Sequence, residues 1–183
     1  MTATRESVKD RTPISVDGFD VLDVCHRQTV VALGKLAALV TRLETVGVDE
    51  TTRELASEVF AHFSMTARRH HQDEEQHVFP SLVQAGDPAT VQTVLRLQQD
   101  HVWIEEDWME LSGHIDAIAC GQSWYDVDVL REGASIFTAL MHDHIALEES
   151  MIYPQARALI GTAQRQAMGR EMAARRRAER RKA

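Results

Sequence analysis

The sequence predicts an all-α protein: an up-down-up-down antiparallel four-helix bundle with a short N-terminal arm and a basic C-terminal helical tail. Three observations lead there. Apolar residues recur at three-to-four spacing over long stretches. No stretch shows the strict alternation of a half-buried strand. Only nine glycines and four prolines occur in 183 residues, and they punctuate the helical periods. Four long helices with short connections pack as antiparallel neighbours.

The first helix is expected from Asp17–Asp20 to Thr45–Gly47, with Leu22, Val30, Leu33, Leu36, Val40 and Leu43 as its apolar stripe. Asp49 is a good N-cap for a second helix reaching Val83–Ala85. In Ala85-Gly86-Asp87-Pro88 the chain stops one helix and starts the next. Gly86 suits a left-handed C-terminal position, Asp87 a cap and Pro88 a first turn. The third helix runs to about Ala119, and the fourth from Asp126–Asp128 to Tyr153 or a little beyond. Pro80 and Pro154 should each kink or end a helix locally. The expected organisation is an arm over 1–16, a bundle over 17–160 and a tail over 161–183.

Composition excludes several classes. With 44% apolar and 26% charged residues the chain is globular rather than disordered. No apolar run approaches the roughly 18–20 residues of a membrane span. The first fifteen residues are polar and lack the apolar stretch of a secretory leader. Cys25 and Cys120 make neither a disulfide framework nor a metal-type spacing, so a reducing cytoplasm is the simplest compartment. Net charge is −8, but from Arg165 onward there are eight basic residues against two acids, leaving −14 on the remainder. The tail reads first as a solvated, frayed helix, with contact to nucleic acid or an anionic partner the lesser reading.

The stretch HHQDEEQHVFP, residues 70–80, carries the chemistry. Each helix has one histidine in register with its apolar stripe: His26, His70, His101 and His144. One inward imidazole is ordinarily a satisfied core residue. Four, together with inward carboxylates, would cost several kcal/mol per uncompensated ion, and a metal removes that cost. The motif H-x-x-x-E is expected about 0.7 times by chance in this composition. It occurs four times, at His70/Glu74, His71/Glu75, His101/Glu105 and His144/Glu148.

Context adds specificity. Residues 70–80 match residues 144–154: each has H-x-x-x-E-E, then an aromatic residue and proline, and each follows a phenylalanine seven earlier, Phe63 or Phe137. His26 precedes His70 by 44 residues and His101 precedes His144 by 43. Two copies of a helical hairpin are therefore predicted, each donating H…H-x-x-x-E to one site. The alignment selects His70 and Glu74 over His71 and Glu75 as the inward pair.

A histidine and a glutamate four apart share a helical face. Two glutamates from opposite helices can each bridge two ions, which favours a dinuclear site. Mixed nitrogen and oxygen donors suit iron among the first-row ions, with manganese or zinc as lesser alternatives. A bridging oxo or hydroxo group would leave about two positions for further residues or a small molecule.

These residues resemble the hemerythrin-like (HHE cation-binding) family, over roughly residues 17–160. The resemblance implies a four-helix bundle with a non-haem di-iron centre, bridged by Glu74 and Glu148 and with terminal histidines His26, His70, His101 and His144. The dioxygen carriers of that family have H-x-x-x-H on the third helix, where this chain has His101 and Glu105. Glu105 either ligates one iron or stands beside the ligands, and His71 is the other candidate. A carboxylate there favours ferric iron and weakens the case for reversible dioxygen carriage. His77 is read as packing near the site, His62 as lying further down the bundle, and His114 and His142 as surface residues. Trp108 is read as core, and Asp73, Glu75, Glu106 and Glu149 as solvated or orienting ligand imidazoles.

The leading expectation is a protein that binds a small diatomic ligand, dioxygen or nitric oxide, for sensing, storage or detoxification. Peroxide chemistry or repair of iron–sulfur centres is the enzymatic alternative. A metal-responsive interaction module is the third.

Overall fold

The computed structural model describes residues 16–180, and among these there are helices and turns but no strand. The N-terminal arm, apart from Val16, lies outside the described residues. α1 (Gly18–Thr45) is capped by Asp17, whose side chain accepts from the Phe19 N–H at 3.0 Å. α2 (Glu50–Ala61) follows the Asp49 cap, which accepts from Thr52 at 2.8 Å. A wide π-helical turn over His62–Ala67 leads into α3 (Arg68–His77) and α4 (Phe79–Ala85). Gly86, at φ 76°, takes the left-handed C-cap that a Cβ would disfavour. Asp87 then caps α5 (Pro88–Ala119), accepting from Thr90 at 2.9 Å. Asp126 caps α6 (Val127–Leu147), which continues through a second π turn, Glu148–Ile152, into α7 (Tyr153–Leu159). α8 (Thr162–Arg180) closes the described chain.

Both prolines act where expected. Pro154 cannot donate to the carbonyl four residues back and its ring crowds that carbonyl, so the winding widens just before it. Before Pro80 the break is a single turn residue, Val78, at φ −99° and ψ −59°, which separates α3 from α4.

α1 packs on α2 and α6, and α5 packs on the same two, while α4 meets α5 and α7. This leaves two apolar clusters. One contains Leu33, Leu36, Phe63, Ile104, Trp108 and Phe137. The other contains Phe19, Leu22, Val78, Phe79, Leu97 and Tyr153. Each fully buried side chain of this size contributes about 1.5–3 kcal/mol. His26, His70, His101 and His144 each lie along their helices between residues of the two clusters. The polar layer is thus enclosed above and below by hydrocarbon.

Two expectations need correction. Val30 is 45% exposed, and Thr29, three residues beyond His26, takes the inward place with its hydroxyl 3.0 Å from His62 Nε2. The end of the chain is no frayed tail as far as it is described. Met168 and Met172 are buried in the second apolar cluster, and α8 lies against α1. Gly169 permits the contact, since a Cβ there would lie 2.0 Å from the Val16 carbonyl oxygen. Part of the basic charge meets the acidic body. Arg165 Nε is 3.2 Å from Asp17, and Arg175 pairs with the buried Asp73. No helix among the described residues is long and apolar enough to cross a membrane.

Candidate metal centre

Six of the seven residues singled out from sequence converge: His26, His70, Glu74, His101, His144 and Glu148 are all buried. They form two overlapping groups, His26/His70/Glu74/Glu148 and Glu74/His101/His144/Glu148, each with its ligand atoms within 4.8 Å of one another. The seventh does not join them. Glu105 is half-exposed, with Oε1 3.6 Å from Arg68 Nε. His71 lies instead within a third group, His71/His101/His144. α3 therefore turns two consecutive imidazoles and Glu74 into the layer, while His71 lies parallel to His101 with ring centroids 4.1 Å apart.

The carboxylates are split between the two sides. Glu74 Oε1 is 3.3 Å from His70 Nε2, and its Oε2 is 3.5 Å from His101 Nε2. Glu148 Oε2 is 3.1 Å from His26 Nε2, and its Oε1 is 3.1 Å from His144 Nε2. Each glutamate thus offers one oxygen to each set of histidines.

The second acid of each E-E pair has its own task. Glu149 Oε1 is 2.9 Å from His26 Nδ1, and Glu75 Oε1 is 2.8 Å from His101 Nδ1. Both accept the Nδ1 proton, so Nε2 is the nitrogen turned into the layer. Asp100 Oδ2 stands 3.9 Å from His144 Nδ1.

Two aromatic side chains complete the walls in corresponding places. Phe79 stacks on His101 at 5.7 Å, and Tyr153 stacks on His26 at 5.1 Å with planes 8° apart. The Tyr153 hydroxyl enters the site, donating to Glu74 Oε1 at 2.6 Å and lying 3.1 Å from His26 Nε2. Tyr153 was legible only as the aromatic before a proline; its replacement of Phe79's hydrocarbon by a phenol in the second repeat was the available signal.

The donor set is electrically incomplete in itself. His70 Nε2, His101 Nε2, both nitrogens of His144, Glu74 Oε2 and Glu148 Oε1 are buried without hydrogen-bond partners. Such groups cost free energy unless something fills their lone pairs. Burial and neighbouring imidazoles hold His70 and His71 well below the usual histidine range. Burial also opposes charge on His101 and His144, but Glu148, with Glu74 for the first and Asp100 for the second, raises them to about 10 and about 9. Burial and the Glu148 charge push Glu74 up. Burial and the two glutamates push the Tyr153 phenol well above its usual value. Lone pairs of imidazole and carboxylate aimed at common points fit divalent or trivalent first-row cations.

The other histidines are apart from this layer. His62 binds Thr29, His77 Nε2 is 3.6 Å from Glu171 on α8, and His114 accepts from the Asp126 N–H at 3.1 Å. His142 is exposed. Trp108 is core, with Nε1 donating to Ser64 at 3.3 Å. Asp73, expected in solvent, is buried under Arg175.

Comparison with known proteins agrees with this geometry. A family model described as the hemerythrin HHE cation-binding domain matches residues 17–156. An uncharacterised protein of Haemophilus influenzae (strain Rd) is 28% identical over 158 residues, which cover 86% of this chain and 89% of that protein.

Proposed function

Since this chain belongs to the hemerythrin HHE cation-binding family, we propose that it holds a dinuclear iron centre and binds a small ligand, dioxygen or nitric oxide, for sensing, storage or detoxification. The observation that carries the reading is the split of Glu74 and Glu148, each with one oxygen toward His26/His70 and the other toward His101/His144. That is the arrangement two bridging carboxylates need. On this reading the four main rods run alternately up and down, as their short connections imply.

His26 and His70 would hold one ion, and His101, His144 and His71 the other. His71 replaces Glu105 in the ligand set, because its imidazole lies against both His101 and His144 while Glu105 turns outward. Iron suits the mixed nitrogen and oxygen donors better than zinc, which favours fewer ligands. When bound, the ion pair supplies redox chemistry and affinity for small oxygen- or nitrogen-containing ligands.

The chain's own residues do the rest. Glu75 and Glu149 fix the tautomers of His101 and His26 by accepting at Nδ1. Phe79, Val78, Phe63 and Phe137 keep bulk water from the layer, which strengthens every electrostatic interaction inside it. Three imidazoles lie on one side and two on the other, so the two positions would differ in their nitrogen donors.

The test is metal analysis of the purified chain with absorption spectra before and after dioxygen or nitric oxide. Two irons per chain, and a spectrum that responds reversibly to one of these gases, are expected. A chain with less than one metal per molecule after anaerobic iron loading would sink the reading.

A further inference from the structure

We propose that Tyr153 Oη is itself a ligand of the ion held by His26 and His70, occupying the vertex that the smaller histidine set leaves free. This inference rests on the dinuclear reading above and concerns what completes it.

Distances carry the argument. Two donors at about 2.1 Å from an ion, on adjacent vertices of an octahedron, lie about 3 Å apart. Tyr153 Oη is 3.1 Å from His26 Nε2 and 2.6 Å from Glu74 Oε1. His26 Nε2 is 3.1 Å from Glu148 Oε2, and His70 Nε2 is 3.3 Å from Glu74 Oε1. The 3.1 Å between the phenol oxygen and His26 Nε2 therefore matches the spacing among the other donors, while the shorter 2.6 Å to Glu74 Oε1 is the hydrogen bond of a phenol that still carries its proton. A residue that merely supported the His26 imidazole would bond to its outer nitrogen, as Glu149 does at Nδ1. Tyr153 approaches the ligating atoms themselves.

The backbone explains how it gets there. In an α-helix a residue five positions after Glu148 would be turned about 140° away from it. The π turn at Glu148–Ile152 unwinds that offset, so Glu148 and Tyr153 can face the same layer.

The repeat supplies an independent argument. Two differences between the halves bring a donor atom to the layer. His71 corresponds to Ile145, and Tyr153 corresponds to Phe79. One half thus gains an imidazole on the His101/His144 side, and the other gains a phenol on the His26/His70 side. With both glutamates shared, each ion then has three side chains of its own. The phenol proton is released as the ion enters, as happens for other protic ligands. A small ligand reaching the His26/His70 ion must then displace Tyr153 or take the remaining bridging position.

The experiment is absorption and resonance Raman spectroscopy of the ferric, iron-loaded chain, with Tyr153→Phe and Tyr125→Phe compared at measured iron content. The wild type and Y125F should show a visible phenolate-to-iron charge-transfer band with phenolate ring vibrations enhanced on excitation into it. Y153F should keep two irons and the near-ultraviolet absorption of a bridged pair, lose that band entirely, and bind azide at least tenfold more tightly. Two irons without a phenolate band in the wild type, or a band that survives in Y153F, would overturn the assignment while leaving the dinuclear reading intact. Failure to take up iron at all would overturn both.

Discussion

The imidazole of His71 lies flat over that of His101, planes 10° apart, while Glu105, four residues after His101, reaches outward to Arg68. The third helix therefore turns one candidate donor, His101, into the layer and the second helix three, His70, His71 and Glu74. Replacing His71 by alanine should lower the content of the His101/His144 ion by more than about tenfold in affinity, the scale seen when a metal site loses a supporting group. Glu105→Ala should leave the metal content unchanged and stability within about 0.5 kcal/mol. Metal-to-protein ratios after dialysis against a weak chelator separate the two outcomes; equal losses would contradict the placement of Glu105.

Glu75 and Glu149 are exposed, yet each holds the Nδ1 edge of a buried histidine. Glu75→Gln and Glu149→Gln should therefore fold normally but bind metal roughly 10–100-fold more weakly. Competition with a chromogenic chelator reads this directly. Unaltered affinity in both variants would mean that the imidazoles are positioned by packing alone.

α8 packs on the body of the protein, and its loss should be felt in stability. Met172 is 1% exposed, so Met172→Ala should cost about 2–5 kcal/mol. Arg175→Ala leaves the buried carboxylate of Asp73 to the more distant Arg176, 3.9 Å away; with Arg175 about a third exposed, a cost near 1–3 kcal/mol is expected. The double variant Asp73→Asn/Arg175→Ala should recover part of it. Urea midpoints at fixed metal content measure all three, and an unaffected Met172→Ala would show that α8 does not share the core.

His62 provides the pH dependence. Burial, then the nearby Lys35 charge, lowers its pKa to about 4 from the ordinary 6.5. Its neutral form is the folded form, so its contribution is complete above about pH 6.5 and is lost as pH falls toward 4. His62→Gln should flatten this part of the stability profile while keeping a partner for Thr29. Chemical denaturation at pH 7, 5.5 and 4.5 gives the comparison; parallel profiles for both proteins would refute it.

The sequence by itself determined the helices and their ends. Asp17, Asp49, Asp87 and Asp126 are short acceptors beside unpaired N–H groups, and Gly86 relieves a left-handed turn, so local chemistry suffices. It also determined the six converging histidines and glutamates, because 3.6-residue periodicity and an internal repeat both mark the inward face. Tertiary structure alone decided the rest. His71 and Glu105 have equal claims by spacing, and only the rotation of each helix against its neighbours turns one inward and the other out. Tyr153 enters the site through a π turn, which breaks the 3.6-residue period on which the helical reading depends. α8 joins the body through Gly169, two buried methionines and Arg175 against Asp73. Those contacts span more than a hundred residues, and composition shows the charge of such a segment but not the surface that awaits it.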